Sequence, residues 1–168
     1  GNFAVTAPIA AFCGSKKVYA IARDSSYGNK EEAFDATKKL AQLLDVADRI
    51  KFVDHKSPEA LAEADIVTNT GFVRPIDIQT VAAMNGSGAI PLMYEPWEYR
   101  GDVAVEKCWN SNIPVIGTDE SDPRIRTQEY VGLLPVQLSL ENDIEVMNSR
   151  YLILGGGDMA KFSVEKLR

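Results

Sequence analysis

Short apolar runs alternate with amphipathic segments along most of the chain. The runs favour strands and do not alternate in polarity, which is typical of strands buried on both faces of a parallel sheet. The segments between them carry apolar residues at helical spacing. The predicted strands cover residues 18–22, 50–53, 66–68, 89–94 and 114–117. This alternation predicts an α/β fold of three layers, a flavodoxin-like or Rossmann-like parallel sheet with helices on both faces.

Local start signals support several of the predicted helices. The clearest covers 29–44, where Glu31 and Glu32 lie in the first turn and interact favourably with the helix dipole. Ser57 followed by Pro58 is typical of an N-cap and a first helical residue. The other predicted helices cover residues 8–14, 75–84, 103–110 and 126–142. The last of these is expected to be one long helix.

Near its end, the sequence has an apolar run that leads directly into glycines. Residues 151–154 predict a strand and 159–168 a helix, and the turn between them fits the dinucleotide-binding pattern G-x-G-x-x-A. Free N–H groups and the dipole at such a helix start favour a phosphate group. An ordinary strand-to-helix glycine turn is the alternative interpretation. The predicted cofactor-binding residues are Gly155, Gly157, Asp158, Met159 and Ala160.

The glycine turn also bears on domain organisation. In dinucleotide-binding domains an acidic residue about 20 positions beyond the glycines binds the ribose. The printed sequence stops eleven residues after Gly157, so we expect a piece of a longer enzyme that is inactive alone. Residues 1–142 are predicted to form a substrate-type α/β domain that includes a linking helix. Residues 143–168 are predicted to begin a dinucleotide-binding domain.

Composition and charge narrow the classes of partner. The net charge of −6 argues against nucleic acid and anionic membrane surfaces. Neither a transmembrane run of about 20 apolar residues nor a signal-peptide pattern is visible. Cys13 and Cys108 fit no metal pattern, and we expect buried free thiols in a reducing cytosol. The sequence therefore predicts a cytoplasmic protein without a metal, with a small-molecule substrate and with a homodimer as an open alternative.

Candidate chemistry lies in the loops after the predicted strands, because open parallel sheets bind ligands beyond the carboxyl ends of their strands. Arginines there can bind a carboxylate or phosphate as a bidentate fork, a glutamate can act as acid or base, and a tryptophan can wall a pocket. The alternative is that these charges form surface ion pairs worth about 0–1 kcal/mol each. The predicted catalytic residues are Arg74, Glu95 and Arg100, and the predicted substrate-binding residues are Asn69, Gly71 and Trp97.

The stretch 71–120 resembles a known family. It contains a helix, the strand Ala-Ile-Pro-Leu-Met, a second helix and the run Asn-Ile-Pro-Val-Ile-Gly-Thr at 112–118. This order resembles the substrate domain of the D-2-hydroxyacid dehydrogenases of the formate/glycerate type. There a linking helix and the NAD-binding motif follow, as 126–142 and 155–160 would here. The stretch 127–160 is also similar to shikimate dehydrogenase.

Both resemblances imply a two-domain oxidoreductase that uses NAD or NADP and holds its substrate in the first domain. The expected function is therefore that of a fragment of an NAD(P)-dependent oxidoreductase acting on a small polar or carboxylated substrate. A non-catalytic, Rossmann-like ligand-binding or regulatory domain is the main alternative. A nucleotide-sugar or methyl-transfer enzyme is a third interpretation, because glycine-rich turns serve those functions as well.

Overall fold

The computed structural model describes residues 2–26, 28–94 and 101–168, which form a mixed α/β structure. The chain divides into two units, Gly1–Thr118 and Asp119–Arg168. The strands are β1 (Val18–Ile21), β2 (Ile50–Val53), β3 (Ile90–Pro91) and β4 (Val115–Ile116). The α-helices are α1 (Thr6–Phe12), α2 (Lys30–Leu43), α3 (Pro58–Glu63), α4 (Ile78–Ala83), α5 (Val105–Asn110), α6 (Thr127–Val131), α7 (Leu134–Glu141) and α8 (Gly157–Lys166). Short 3-10 helices cover Asn2–Val5, Ala47–Arg49 and Gly71–Val73.

The strands of the first unit pair in parallel, as the apolar runs predict. β1 lies beside β2 with Val18 opposite Ile50, and β3 lies beside β4 with Ile90 opposite Val115. The predicted strand 66–68 is reduced to a single parallel bridge, in which the N–H of Val67 donates to the carbonyl of Ala89 at 3.0 Å. Within the described residues the sheet hydrogen bonds thus form two short two-stranded ladders and bridges, rather than one continuous sheet of five strands.

Two apolar clusters form the core of this unit. The larger one surrounds β3 and α5, where Ile76, Ile90 and Cys108 are fully buried. The smaller one joins α1, α2 and β2 through Ala11, Ala41 and other small residues, which allow the helices to approach the strand closely. The prediction that both cysteines are buried is correct for Cys108 and wrong for Cys13. Cys13 is exposed because it follows the last turn of α1, where the chain leaves the core.

Side-chain caps begin three of the helices, and the cap at Ser57 is the one that the sequence predicts. Asn29 Oδ1 accepts a hydrogen bond from the N–H of Glu32 at 2.8 Å, at the start of α2. Ser57 caps α3, with Pro58 as its first residue, and Asp77 caps α4. Each cap satisfies an N–H group that has no partner inside the helix. The two caps at Ser57 and Asp77 flank the loops that carry the polar residues of the first unit.

One chain reversal recurs at the ends of α2, α5 and α7. In α5 the N–H of Ile113 donates to the carbonyl of Cys108 at 2.9 Å, while the intervening Asn112 adopts a left-handed conformation with φ 54°. Such a reversal satisfies carbonyls that the helix end leaves free, and Asn and Asp tolerate it better than most side chains. After α5 and α2 the apolar residue that follows, Ile113 or Val46, is directed back into the core and is buried. Asp45 and Asp143 occupy the equivalent positions after α2 and α7.

Residues 119–168 differ most from the elements that the sequence predicts. The expected single helix over 126–142 is two helices, α6 and α7, separated by Gly132 and Leu133. A Cβ atom at Gly132 would lie 2.8 Å from the backbone of Phe162, so α8 packs directly on the end of α6. Pro135, in the first turn of α7, has no N–H to donate to the preceding turn. The missing donor at Pro135 explains why the helix does not continue without interruption.

The predicted strand 151–154 is also not formed. Among the described residues this segment has no β partner, and Leu152 and Leu154 are 85% and 87% exposed. A strand needs a neighbour to accept and donate its backbone hydrogen bonds, and the regular elements of this unit are helices. The glycine turn and the helix that follows it are present, with α8 starting at Gly157, two residues earlier than predicted.

Candidate functional site

Four polar residues of the first unit gather beyond β3, and we call them the Asn69 cluster: Asn69, Arg74, Tyr94 and Asp102. Asn69 follows the bridge at Ile66, and Tyr94 follows β3. A second parallel bridge joins Ile76 to Val103, with the N–H of Ile76 donating to the carbonyl of Asp102 at 2.8 Å. This backbone contact holds the loop that carries Arg74 next to the side chain of Asp102.

Asn69 is fully buried, and only half of its side-chain amide is paired. Its Oδ1 accepts a hydrogen bond from the N–H of Met93 at 2.7 Å. Its Nδ2 lies close enough to the hydroxyl oxygen of Tyr94 to lower the pKa of that tyrosine, but it makes no well-aligned hydrogen bond to a described residue. A buried donor without an acceptor costs roughly 1–3 kcal/mol. Such a group in a native structure calls for an acceptor beyond the described residues.

Tyr94 and Asp102 form the inner contact of the cluster. The hydroxyl of Tyr94 donates to Oδ1 of Asp102. Burial, followed by this hydrogen bond and the charge of Asp102, raises the pKa of Tyr94 to about 12, against opposing effects of Asn69 and Arg74. Tyr94 is therefore a neutral hydrogen-bond donor at physiological pH rather than a base.

Arg74 supplies the positive charge of the cluster. Its Nη1 lies 3.9 Å from Oδ2 of Asp102, and its side chain is 42% exposed, compared with 21% for Asp102. The separation is longer than the approximately 2.7–2.9 Å of a charge-assisted hydrogen bond. No described residue accepts a hydrogen bond from the guanidinium. Its planar set of donors can therefore take a carboxylate.

Gly71 contributes to the site through its backbone. It opens the 3-10 helix Gly71–Val73, which leads the chain from Asn69 to Arg74, and its φ of 48° is left-handed. Glycine adopts this conformation at little cost. The structure thus brings Asn69, Gly71 and Arg74 of the predicted site into one region. The predicted residues Glu95, Trp97 and Arg100 lie outside the described residues.

Two members of the cluster, Tyr94 and Asp102, were missed by the sequence analysis. Tyr94 is the last residue of the predicted strand 89–94, and Asp102 directly precedes the predicted helix 103–110. The pairing of Ile76 with Val103 connects segments far apart in the sequence, and no local pattern predicts it. A tyrosine at the carboxyl end of a strand, followed by an acid several residues later, was the available signal.

Lys56 connects the end of β2 to the same loop. Its Nζ donates to the carbonyl of Pro75 and, at 3.0 Å, to the hydroxyl of Thr80. Burial lowers the pKa of Lys56, while the nearby charge of Asp77 works in the opposite direction. These hydrogen bonds hold the loop immediately after Arg74 from the side of the first sheet.

The ends of β1 and β2 carry a separate, solvent-exposed set of charges. Arg23 Nε donates to the backbone carbonyl of Asp54 at 2.9 Å, and Lys30 Nζ lies 3.4 Å from its carboxylate. His55 contacts the same carboxylate at 2.7 Å, and together with Lys30 it lowers the pKa of Asp54. With His55 69% exposed, this group has the properties of surface ion pairs.

The glycine turn of the second unit leaves the first turn of α8 open. Gly156 caps the helix without a side-chain hydrogen bond, and Gly157 has a left-handed φ of 73°. A Cβ at Gly155, Gly156 or Gly157 would meet no atom within 4 Å. Of the other predicted cofactor residues, Asp158 and Met159 are exposed and Ala160 is half-buried. The turn leads directly into the helix, but its preceding segment is not in a sheet.

Other kinds of site receive no support from the described residues. They contain no group of three or more His, Cys, Asp or Glu side chains placed to hold a metal ion. Within the same ranges, no helix is both long and apolar enough to cross a bilayer. Comparisons with protein-family models, with curated proteins and with solved structures find no match to this chain.

Proposed function

We propose that the Asn69 cluster binds a small polar or carboxylated molecule. The observation that carries this proposal is the half-exposed guanidinium of Arg74, which lies beside the buried amide of Asn69, whose Nδ2 makes no well-aligned hydrogen bond to a described residue. Buried polar groups are normally hydrogen-bonded, and an arginine fork matches a carboxylate in two parallel hydrogen bonds. Both features favour a ligand that brings oxygen acceptors.

We also propose that this molecule is the substrate of an NAD(P)-dependent oxidoreductase of which the chain is a part. The support is the glycine turn before α8, where open N–H groups and the helix dipole favour a phosphate. On this proposal the parallel ladders belong to a Rossmann-like, three-layer sheet. The protein would be cytoplasmic, in keeping with two free thiols, and a homodimer would cover part of its exposed apolar surface.

One observation favours a second candidate, a non-catalytic ligand-binding domain. With a pKa of about 12, Tyr94 stays protonated at neutral pH, so it can bind an oxygen but not remove a proton. The other three members of the Asn69 cluster are an arginine, an aspartate and an asparagine amide. Such a set can orient a ligand without taking part in proton transfer.

The test is a calorimetric titration of the protein with small carboxylates, phosphates and neutral polar compounds. We expect carboxylates to bind and Arg74→Ala to weaken them roughly tenfold or more, because a charged hydrogen bond contributes about 1.5–3 kcal/mol. Arg150→Ala, at an exposed arginine of the second unit, is the matched control and should leave binding unchanged. Unchanged binding in Arg74→Ala would remove the cluster as the site.

The oxidoreductase part needs its own readout. Because this chain is expected to be inactive alone, nicotinamide absorbance would be followed in the longer protein that contains it, with each carboxylate that binds and with NAD and NADP supplied separately. Reduction of either cofactor that depends on the carboxylate supports the enzyme. Binding without any reduction, in a protein that also fails to bind the cofactor, favours the non-catalytic candidate.

A further inference from the structure

We propose that the Asn69 cluster selects ligands that carry both a carboxylate and a cationic amino group, as α-amino carboxylates do. Arg74 would bind the carboxylate, and Asp102 would bind the ammonium group. This inference rests on the proposed binding function of the cluster. It adds the role of Asp102 and the charge type of the ligand.

Arg74 and Asp102 place two opposite charges close to each other. Arg74 Nη1 and Asp102 Oδ2 are 3.9 Å apart, near the limit of an ion pair, and they are not in hydrogen-bond contact. Each group therefore keeps most of its hydrogen-bonding capacity for another partner. A ligand with adjacent charges of both signs can satisfy both groups at once.

One oxygen of the Asp102 carboxylate has hydrogen-bonding capacity left for a ligand. Its Oδ1 accepts the hydroxyl of Tyr94, whereas its Oδ2 accepts no hydrogen bond from a described residue. An ionised carboxylate oxygen has lone pairs that favour a cationic donor. The hydrogen bond from Tyr94 holds Asp102 in place, so Oδ2 faces the same region as Arg74.

The charges within the Asn69 cluster balance each other. Tyr94 is neutral and Asn69 is uncharged, so the positive charge of Arg74 and the negative charge of Asp102 cancel. A phosphate dianion would be attracted by Arg74 but repelled by Asp102. A ligand with one charge of each sign avoids that repulsion. Repulsion between like charges is one way in which a binding site rejects the wrong ligand. A 2-hydroxy carboxylate would satisfy Arg74 and leave Asp102 without a cation.

The experiment compares pairs of ligands that differ only in the amino group. Calorimetric titration of the whole chain with alanine against lactate, and with aspartate against malate, measures the preference directly. We expect the amino member of at least one pair to bind roughly tenfold tighter, as expected for one added charged hydrogen bond. Asp102→Asn should abolish this preference, because the amide keeps an acceptor for Tyr94 but lacks the negative charge. Asp35→Asn, at an exposed position on α2, is the control.

The outcomes separate this inference from the proposed function. Equal binding of both members of each pair, or a preference that survives in Asp102→Asn, overturns the role of Asp102 while the carboxylate site stands. Failure of all four ligands and of other carboxylates to bind overturns both proposals. If Asp102→Asn does not fold, N-acetylalanine replaces the variant, since acetylation removes the ammonium charge. Binding of N-acetylalanine as tight as that of alanine would then contradict the inference.

Discussion

The side-chain oxygen of Asn69 accepts a hydrogen bond from the backbone N–H of Met93 at 2.7 Å. This bond connects the segment after the Ile66 bridge to the segment after β3, and it places the buried amide next to Tyr94. Asn69 therefore has two roles in the first unit. Its oxygen holds two loops together, and its nitrogen presents a donor to the cluster.

Replacement of Asn69 should test the first of these roles. Asn69→Ala removes the acceptor for Met93 and leaves a void, so we expect a loss of roughly 1–3 kcal/mol in the free energy of unfolding, measured by urea denaturation. Asn148→Ala, at an exposed asparagine, should change stability by less than about 0.5 kcal/mol. A stability of Asn69→Ala equal to that of the control would show that the bond to Met93 contributes nothing.

Tyr94 should lose its hydroxyl proton only at high pH. Its pKa is raised from 10.0 to about 12, so its neutral form stabilises the folded protein fully below pH 10. This contribution is lost as the pH rises from about 10 through about 12. Ultraviolet titration of tyrosinate should show a late-ionising component that Tyr94→Phe removes. Tyr19, whose pKa is raised by its hydrogen bond to Glu63, provides the comparison in Tyr19→Phe.

Glu129 should make the second unit sensitive to acid. Hydrogen bonds from Arg126 and then Lys166 lower its pKa from 4.5 to about 2. Because the folded pKa is depressed, the stabilisation is present above pH 4.5 and is lost as the pH falls through about 2. Carboxyl NMR titration of Glu129 should follow this shift directly. Glu129→Gln should flatten the pH dependence of stability in this window.

Gly132 should tolerate no side chain. A Cβ there would lie 2.8 Å from three atoms of Phe162, including its backbone carbonyl, so α8 must move away from α6. We expect Gly132→Ala to destabilise the protein by about 1–3 kcal/mol, as overpacking does. At Gly86 a Cβ would meet nothing within 4 Å, and its φ is not left-handed, so Gly86→Ala is the matched control. Thermal unfolding with equal midpoints for the two variants would contradict this packing.

Signals within a few residues of each other determined the local elements. The cap at Ser57 follows from the sequence, because a cap and the N–H that it satisfies lie three residues apart. The parallel pairing of the strands follows from apolar runs that do not alternate in polarity. The polar loops beyond the strands were predictable for the same reason, since apolar runs mark where strands end. Asn69 and Arg74 were found in this way.

Contacts between distant segments were decided only by the tertiary structure. Arg74 meets Asp102 because the backbone of Ile76 pairs with that of Val103, and no periodicity encodes this pairing. The long helix predicted over 126–142 breaks at Gly132, where Phe162 of α8 packs against it. Residues 151–154 have strand-like composition but lack a neighbouring strand in the described chain, and backbone hydrogen bonds from a neighbour are what make an extended segment a strand.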